Sequence, residues 1–164
     1  MLSRKRCLLL FLTIVGGISL IGACASQSIE DLTYYEPGSE VPRLNEEGKS
    51  RVKEIALNDS RVRELIAGKK YAVAQEYREY EYGPADRIGI WHTSEDLRVI
   101  GAVLDICFDK PYTIQYDWFM PQYNEDYEYC GESTMPPEES QVLKLTVYVD
   151  FTERKVVGIQ PLPF

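Results

Sequence analysis

Histidine occurs once in this chain, at His92, and imidazole is the side chain that most readily serves as a general base near neutrality. His92 follows Trp91 in a stretch of strong sheet propensity. Catalysis would require a nucleophile and an orienting group within hydrogen-bond reach, and none is identifiable beside it in sequence. Asp105 is the second candidate, a carboxylate inside an apolar run. Buried, it needs a partner or shifts its pKa upward; the alternative is that it faces solvent between Leu104 and Ile106. No Gly-x-Ser-x-Gly, His-Glu-x-x-His, P-loop or Gly-x-Gly-x-x-Gly pattern is present. The expectation is therefore a non-enzymatic protein with no catalytic residues, no cofactor and no metal site. Its best candidate surface lies between Tyr112 and Glu139, where Tyr116, Trp118, Tyr123, Tyr127 and Tyr129 are interspersed with Glu125, Asp126 and Glu128. Rigid amphipathic rings are good contact material for proteins or sugars. Asn124 and the three acids could also gather calcium weakly, although the EF-hand spacing is missing. The plainer alternative is that the rings pack in a core and the acids are solvated.

The N-terminus speaks to compartment. Arg4, Lys5 and Arg6 precede an uncharged run from Cys7 to Leu20, which leads into Ile21-Gly22-Ala23-Cys24. A cationic start, an apolar middle and a small-residue exit make a secretory signal, residues 1–23. The exit resembles the lipobox of bacterial lipoproteins. That resemblance implies cleavage before Cys24, acylation of its thiol, and a membrane-anchored protein facing the extracytoplasmic side. Two other routes stay open. The run from Cys7 to Ser28 is long enough to span a bilayer uncleaved, and a plain secreted product is the third.

With the leader removed, three of the 18 basic residues go and none of the 26 acidic ones; the part from Cys24 carries 15 against 26, a formal charge of −11. Such a balance argues against nucleic acid and against electrostatic docking on anionic lipid. It suits solubility, cationic partners or divalent ions. The length fits one domain. Cys7 leaves with the signal and Cys24 is used by lipid, so Cys107 and Cys130 remain. An even pair in an oxidising compartment suggests a disulfide; two unpaired thiols are the alternative.

Residues 24–43, with Pro37, Gly38, Ser39 and Pro42, read as a tether, and 44–164 as a single domain. Asn45 can cap a helix from about Glu46 to Leu57, in which Val52, Ile55 and Ala56 share a face. A second helix runs from about Ser60 to Ala67, stopped by Gly68. Strands follow at Tyr71–Tyr82, Arg87–Thr93, Leu97–Phe108 and Tyr112–Met120, the last two separated by a chain-reversing turn at Asp109-Lys110-Pro111. Pro121 to Ser140 reads as a loop. Gln141–Phe151 and Arg154–Pro161 form a closing hairpin with Leu143, Leu145, Val147 and Val149 on one face. Together these predict an α+β fold: an antiparallel sheet of five to six strands with one or two N-terminal helices packed on one face.

Two segments, Arg51–Val62 and the hairpin Leu143–Asp150 with Lys155–Ile159, resemble the PepSY-like domains, small extracytoplasmic modules found in peptidase propeptides and in membrane-associated proteins. The resemblance implies a non-catalytic module that tempers a peptidase or another envelope partner. The chain departs from that pattern at Thr152-Glu153-Arg154, where the family hairpin usually carries Gly. The remaining possibilities are a structural envelope lipoprotein without a dedicated ligand, a carbohydrate- or calcium-binding surface on 112–139, and an enzyme built on Asp105, His92 or the acidic loop.

Overall fold

A computed structural model describes residues 28–75, 78–80, 83–86, 88–92, 99–126, 128–135, 138–151 and 153–163, as backbone alone at 78–80, 83–86, 100, 138 and 163. The leader and Cys24 lie outside the described residues. No helix among those described is long and apolar enough to cross a membrane.

The helices form where their caps put them. Asn45 accepts the Gly48 N–H at 2.8 Å and starts α1, Glu46–Asn58. Asp59 accepts the N–H groups of Arg61 and Val62 and starts α2, Ser60–Ile66. Gly68 takes the left-handed conformation that ends the helical segment. Val52 and Ala56 of α1 and Val62, Leu65 and Ile66 of α2 are buried in one cluster with the sheet. α1 lies against the three central strands.

Eleven strands follow or flank them. They are β1 Thr33–Tyr34, β2 Arg43–Leu44, β3 Tyr71–Val73, β4 Arg78–Tyr80, β5 Gly83–Asp86, β6 Ile88–His92, β7 Val99–Tyr116, β8 Phe119–Tyr123, β9 Tyr129–Thr134, β10 Glu138–Asp150 and β11 Lys155–Pro163. The main sheet has seven strands in the order β3-β7-β10-β11-β8-β9, with β6 beside β3 along the same edge of β7. All its pairings are antiparallel. β1–β2 and β4–β5 make two further ribbons. The expected α+β fold with five to six strands is thus overturned: two short helices accompany a strand-dominated structure whose main sheet alone has seven strands.

Three local misreadings account for the difference. The tether does not stay free. Ile29–Leu32 forms a 3-10 turn, β1 pairs with β2, and Leu32, Pro42 and Leu44 are buried. The acidic loop is largely the β8–β9 hairpin. And Asp109-Lys110-Pro111 does not reverse the chain. β10 pairs with β7 on both sides of it, Val142 opposite Tyr112 and Lys144 opposite Cys107, so residues 108–111 bulge out of one continuous strand. A bulge is where a strand tolerates Pro, which has no N–H to give the ladder. The excursion is tied down by the Asp109 N–H on Lys70 O (3.1 Å) and the Tyr112 hydroxyl on Asp109 Oδ1 (3.0 Å).

The same irregularity changes the phase of β10. Leu145, Val147 and Val149 face the core as expected, but Val142 joins them in place of Leu143, which is only half-buried. In β7, Ala102, Leu104, Ile106 and Phe108 face the helices. Gly101 permits close packing, because a Cβ there would run into the Val149 carbonyl. At the β10–β11 turn the chain has no Gly, and Arg154 itself takes a φ of 51°. The Glu153 N–H closes that turn on Asp150 Oδ1 at 2.9 Å.

Candidate binding surface

The sheet face turned away from α1 gathers the off-phase residues of five strands. Trp91 of β6 stands opposite Gly101, while Ile88 and Ile90 point to the core side. Tyr148 of β10 alternates with Val147 and Val149 and stands opposite Gly158 of β11. A Cβ at Gly158 would press on Pro121 Cδ at 2.7 Å and on Tyr148 at 3.1 Å, so glycine there makes room for the ring. Trp91 meets Tyr148 edge to face at 5.1 Å and Tyr123 of β8 at 5.4 Å; Tyr123 meets Tyr129 of β9 at 6.0 Å. Lys155 Nζ lies 4.2 Å from the Tyr129 ring centre. The Tyr148 hydroxyl donates to Gln160 Oε1 (2.8 Å) and that of Tyr123 to Asp150 Oδ2 (3.4 Å). Burial first, and then the Asp150 carboxylate, hold the Tyr123 phenol well above its ordinary pKa. All four rings are half-buried. Such a patch offers ring edges, hydroxyls and one amide for contact.

The residues singled out in the sequence divide between this patch, the core and the hairpin tip. Tyr123 and Tyr129 belong to the patch. Trp118 is only 3% exposed and packs in the helix-side core, with the half-buried Tyr116 ring tilted against it at 5.4 Å. Trp118 thus contributes packing rather than surface. Tyr127 lies outside the described residues. Glu125, Asp126 and Glu128 are exposed at the β8–β9 turn. Asn124 organises that turn: its Oδ1 accepts the N–H groups of Asp126 (3.0 Å) and Glu128 (2.8 Å), and its Nδ2 donates to Glu128 Oε2 (3.1 Å). Among the described residues no three His, Cys, Asp or Glu side chains converge on a possible cation position. Trp91 and Tyr148 were missed. Their signal was present in the alternation, as large polar-tipped rings out of phase with buried aliphatics.

Asp105 is fully buried and does not face solvent. It lies on this same face, accepting Lys144 Nζ at 3.0 Å and the Thr146 hydroxyl at 2.7 Å. Strand pairing puts Thr146 directly opposite and Lys144 one step diagonal, so two adjacent strands deliver both partners. His92 ends β6, half-buried and opposite Val99.

The hairpin β8–β9 joins the sheet by one bridge, Phe119 to Ile159. Pro121, two residues on, has no N–H for β11, which ends the ladder there. Arg61 of α2 holds the hairpin instead. Its guanidinium donates to both Asp59 oxygens (3.2 and 3.3 Å), both Glu132 oxygens (3.2 and 3.3 Å) and Val156 O (2.7 Å), and lies 4.2 Å above the Phe119 ring. Burial pulls its pKa down, but the hydrogen bonds that it donates to Asp59 and Glu132, with their charges, outweigh that and raise it.

The expected Cys107–Cys130 disulfide is not seen. Cys107 is in β7 and Cys130 in β9, with β10, β11 and β8 between them in the sheet. Four strand steps of about 4.8 Å far exceed the separation a disulfide can bridge. Cys130 Sγ instead donates to Gln122 O at 3.3 Å.

No family model, curated protein or solved structure matches this chain.

Proposed function

We propose that this chain is a lipid-anchored extracytoplasmic module that binds an envelope partner and transforms no substrate. The carrying observation is the leader: Arg4, Lys5 and Arg6, an uncharged run, and Ile21-Gly22-Ala23-Cys24, with the acidic sheet domain beginning a few residues later. The patch of Trp91, Tyr123, Tyr129 and Tyr148 supports a recognition role, since its rings are rigid and half exposed and its polar tips are already placed. The PepSY-like segments at Arg51–Val62 and in the β10–β11 hairpin support a regulatory kind of binding. The test is acylation. Cells fed radiolabelled palmitate should label the wild-type protein in the membrane fraction and leave Cys24→Ala unlabelled, with the intact mass of the purified chain matching loss of residues 1–23 plus acyl groups. An unlabelled protein recovered from the cytosol would defeat the proposal.

A further inference from the structure

Deepening the reading of the chain as a binding module, we infer that the outer edge of β9 is a strand-addition site for an extended basic peptide. Among the described residues β9 pairs with β8 alone. Its register fixes which backbone groups are left over. The Met135 N–H donates to Trp118 O at 2.7 Å, and the pairs continue as Phe119–Thr134, Met120–Ser133 and Pro121–Glu132. Hydrogen-bonded and non-hydrogen-bonded pairs alternate in an antiparallel ladder. Ser133 therefore bonds to β8, while Thr134 and Glu132 turn their N–H and C=O groups outward. Natural edge strands are commonly defended by Lys or Pro. β9 reads Tyr-Cys-Gly-Glu-Ser-Thr and has neither.

Charge selects the occupant. From Pro111 to Leu143 the sequence contains no Lys or Arg, and Glu125 and Glu128 project from the turn at the end of β9. Glu132 on the strand is paired with Arg61, and Lys155 lies against the Tyr129 ring, so the acidity beside the edge comes from the turn. β9 of a second copy, paired antiparallel across a two-fold, would bring no Lys or Arg to these acids. An extended peptide with alternating Lys or Arg satisfies the free backbone by β-augmentation and the acids by its side chains.

The test uses the detergent-solubilised full-length protein and a synthetic Thr–Lys alternating peptide of about eight residues, a typical strand length. Hydrogen exchange at the Glu132 and Thr134 amides should slow when the peptide is added at low ionic strength. Thr134→Pro removes an outward N–H without touching the β8 ladder, and should weaken binding about tenfold, the loss of roughly one backbone hydrogen bond. Glu125→Lys with Glu128→Lys should abolish it, and serves if the proline variant does not fold. A Thr–Glu peptide and a peptide N-methylated at alternate residues should fail. Equal binding of the N-methylated peptide, an unchanged affinity in Thr134→Pro, no protection with the Thr–Lys peptide, or self-association through β9 would each overturn the inference. Acylation of Cys24, measured on the same preparation, separates failure at this edge from failure of the anchored-module reading.

Discussion

The central strands and the β8–β9 hairpin belong to one sheet and are held in it by different physics. β7, β10 and β11 share long ladders. Leu104, Leu145, Val147 and Ile159 are fully buried toward the helices, and Asp105, Lys144 and Thr146 are buried on the opposite face. Strands covered on both sides open only with global unfolding. The hairpin has one backbone bridge to β11, a proline that prevents more, and a set of polar latches. Its amides should open well below the global free energy. Within one sheet, burial fixes the frame and charge holds the outer hairpin.

The sharpest way to break the contrast is to strike the frame through the buried ion pair of Asp105 with Lys144. Asp105→Ala leaves Lys144 buried without that carboxylate, and should cost about 3–5 kcal/mol in urea denaturation. Asp105→Leu with Lys144→Met should recover most of that loss, since a well-packed apolar pair often equals a buried ionic one. A double variant no more stable than Asp105→Ala would mean that the pair is doing more than satisfying burial. Next in size, Arg61→Ala removes the latch between α2, Val156 and Glu132. About 1.5–3 kcal/mol is expected for hydrogen bonds to charged groups, and it should appear mainly as faster exchange in β8 and β9 with β10 nearly unaffected. Uniform acceleration across the sheet would erase the distinction between the two regions.

The smallest effect is a pH effect. The folded state holds the Tyr123 phenol above its ordinary value of 10.0, chiefly by burial and then by Asp150. Neutral tyrosine is thus favoured in the native chain. Its contribution is fully present below pH 10 and is lost as pH rises past that value, because the unfolded chain releases its proton first. Tyr123→Phe should flatten the alkaline decline in urea midpoint measured from pH 8 to 11. An identical decline would exclude Tyr123 from the latch.

What the sequence disclosed follows the same division. α1 and α2 were legible because Asn45, Asp59 and Gly68 fix helix ends through local hydrogen bonds and backbone preference. The core strand of β7 was legible because Ala102, Leu104, Ile106 and Phe108 alternate without interruption. The hairpin was not. Only Phe119 and its neighbour Trp118 reach the core there, so β8 and β9 pair through backbone with almost no apolar alternation to announce them. Asp109-Lys110-Pro111 carries every residue type of a turn, and only the distant strand β10, running past it on both sides, makes it a bulge. Asp105 shows the same limit. Its partners lie some forty residues away, so its burial becomes readable only when the register places Thr146 and Lys144 beside it.

The docked N-terminal ribbon bears on where the molecule can stand. The 3-10 turn begins at Ile29, five residues on from Cys24, and Leu32 is already buried in the domain. At about 3.3–3.6 Å per residue, five residues reach at most roughly 18 Å. An acyl group on Cys24 would therefore hold the sheet close to the lipid headgroups. Such a molecule explores a thin layer and not a volume. Its encounters are then governed by how densely other membrane-attached chains are spread over the same surface.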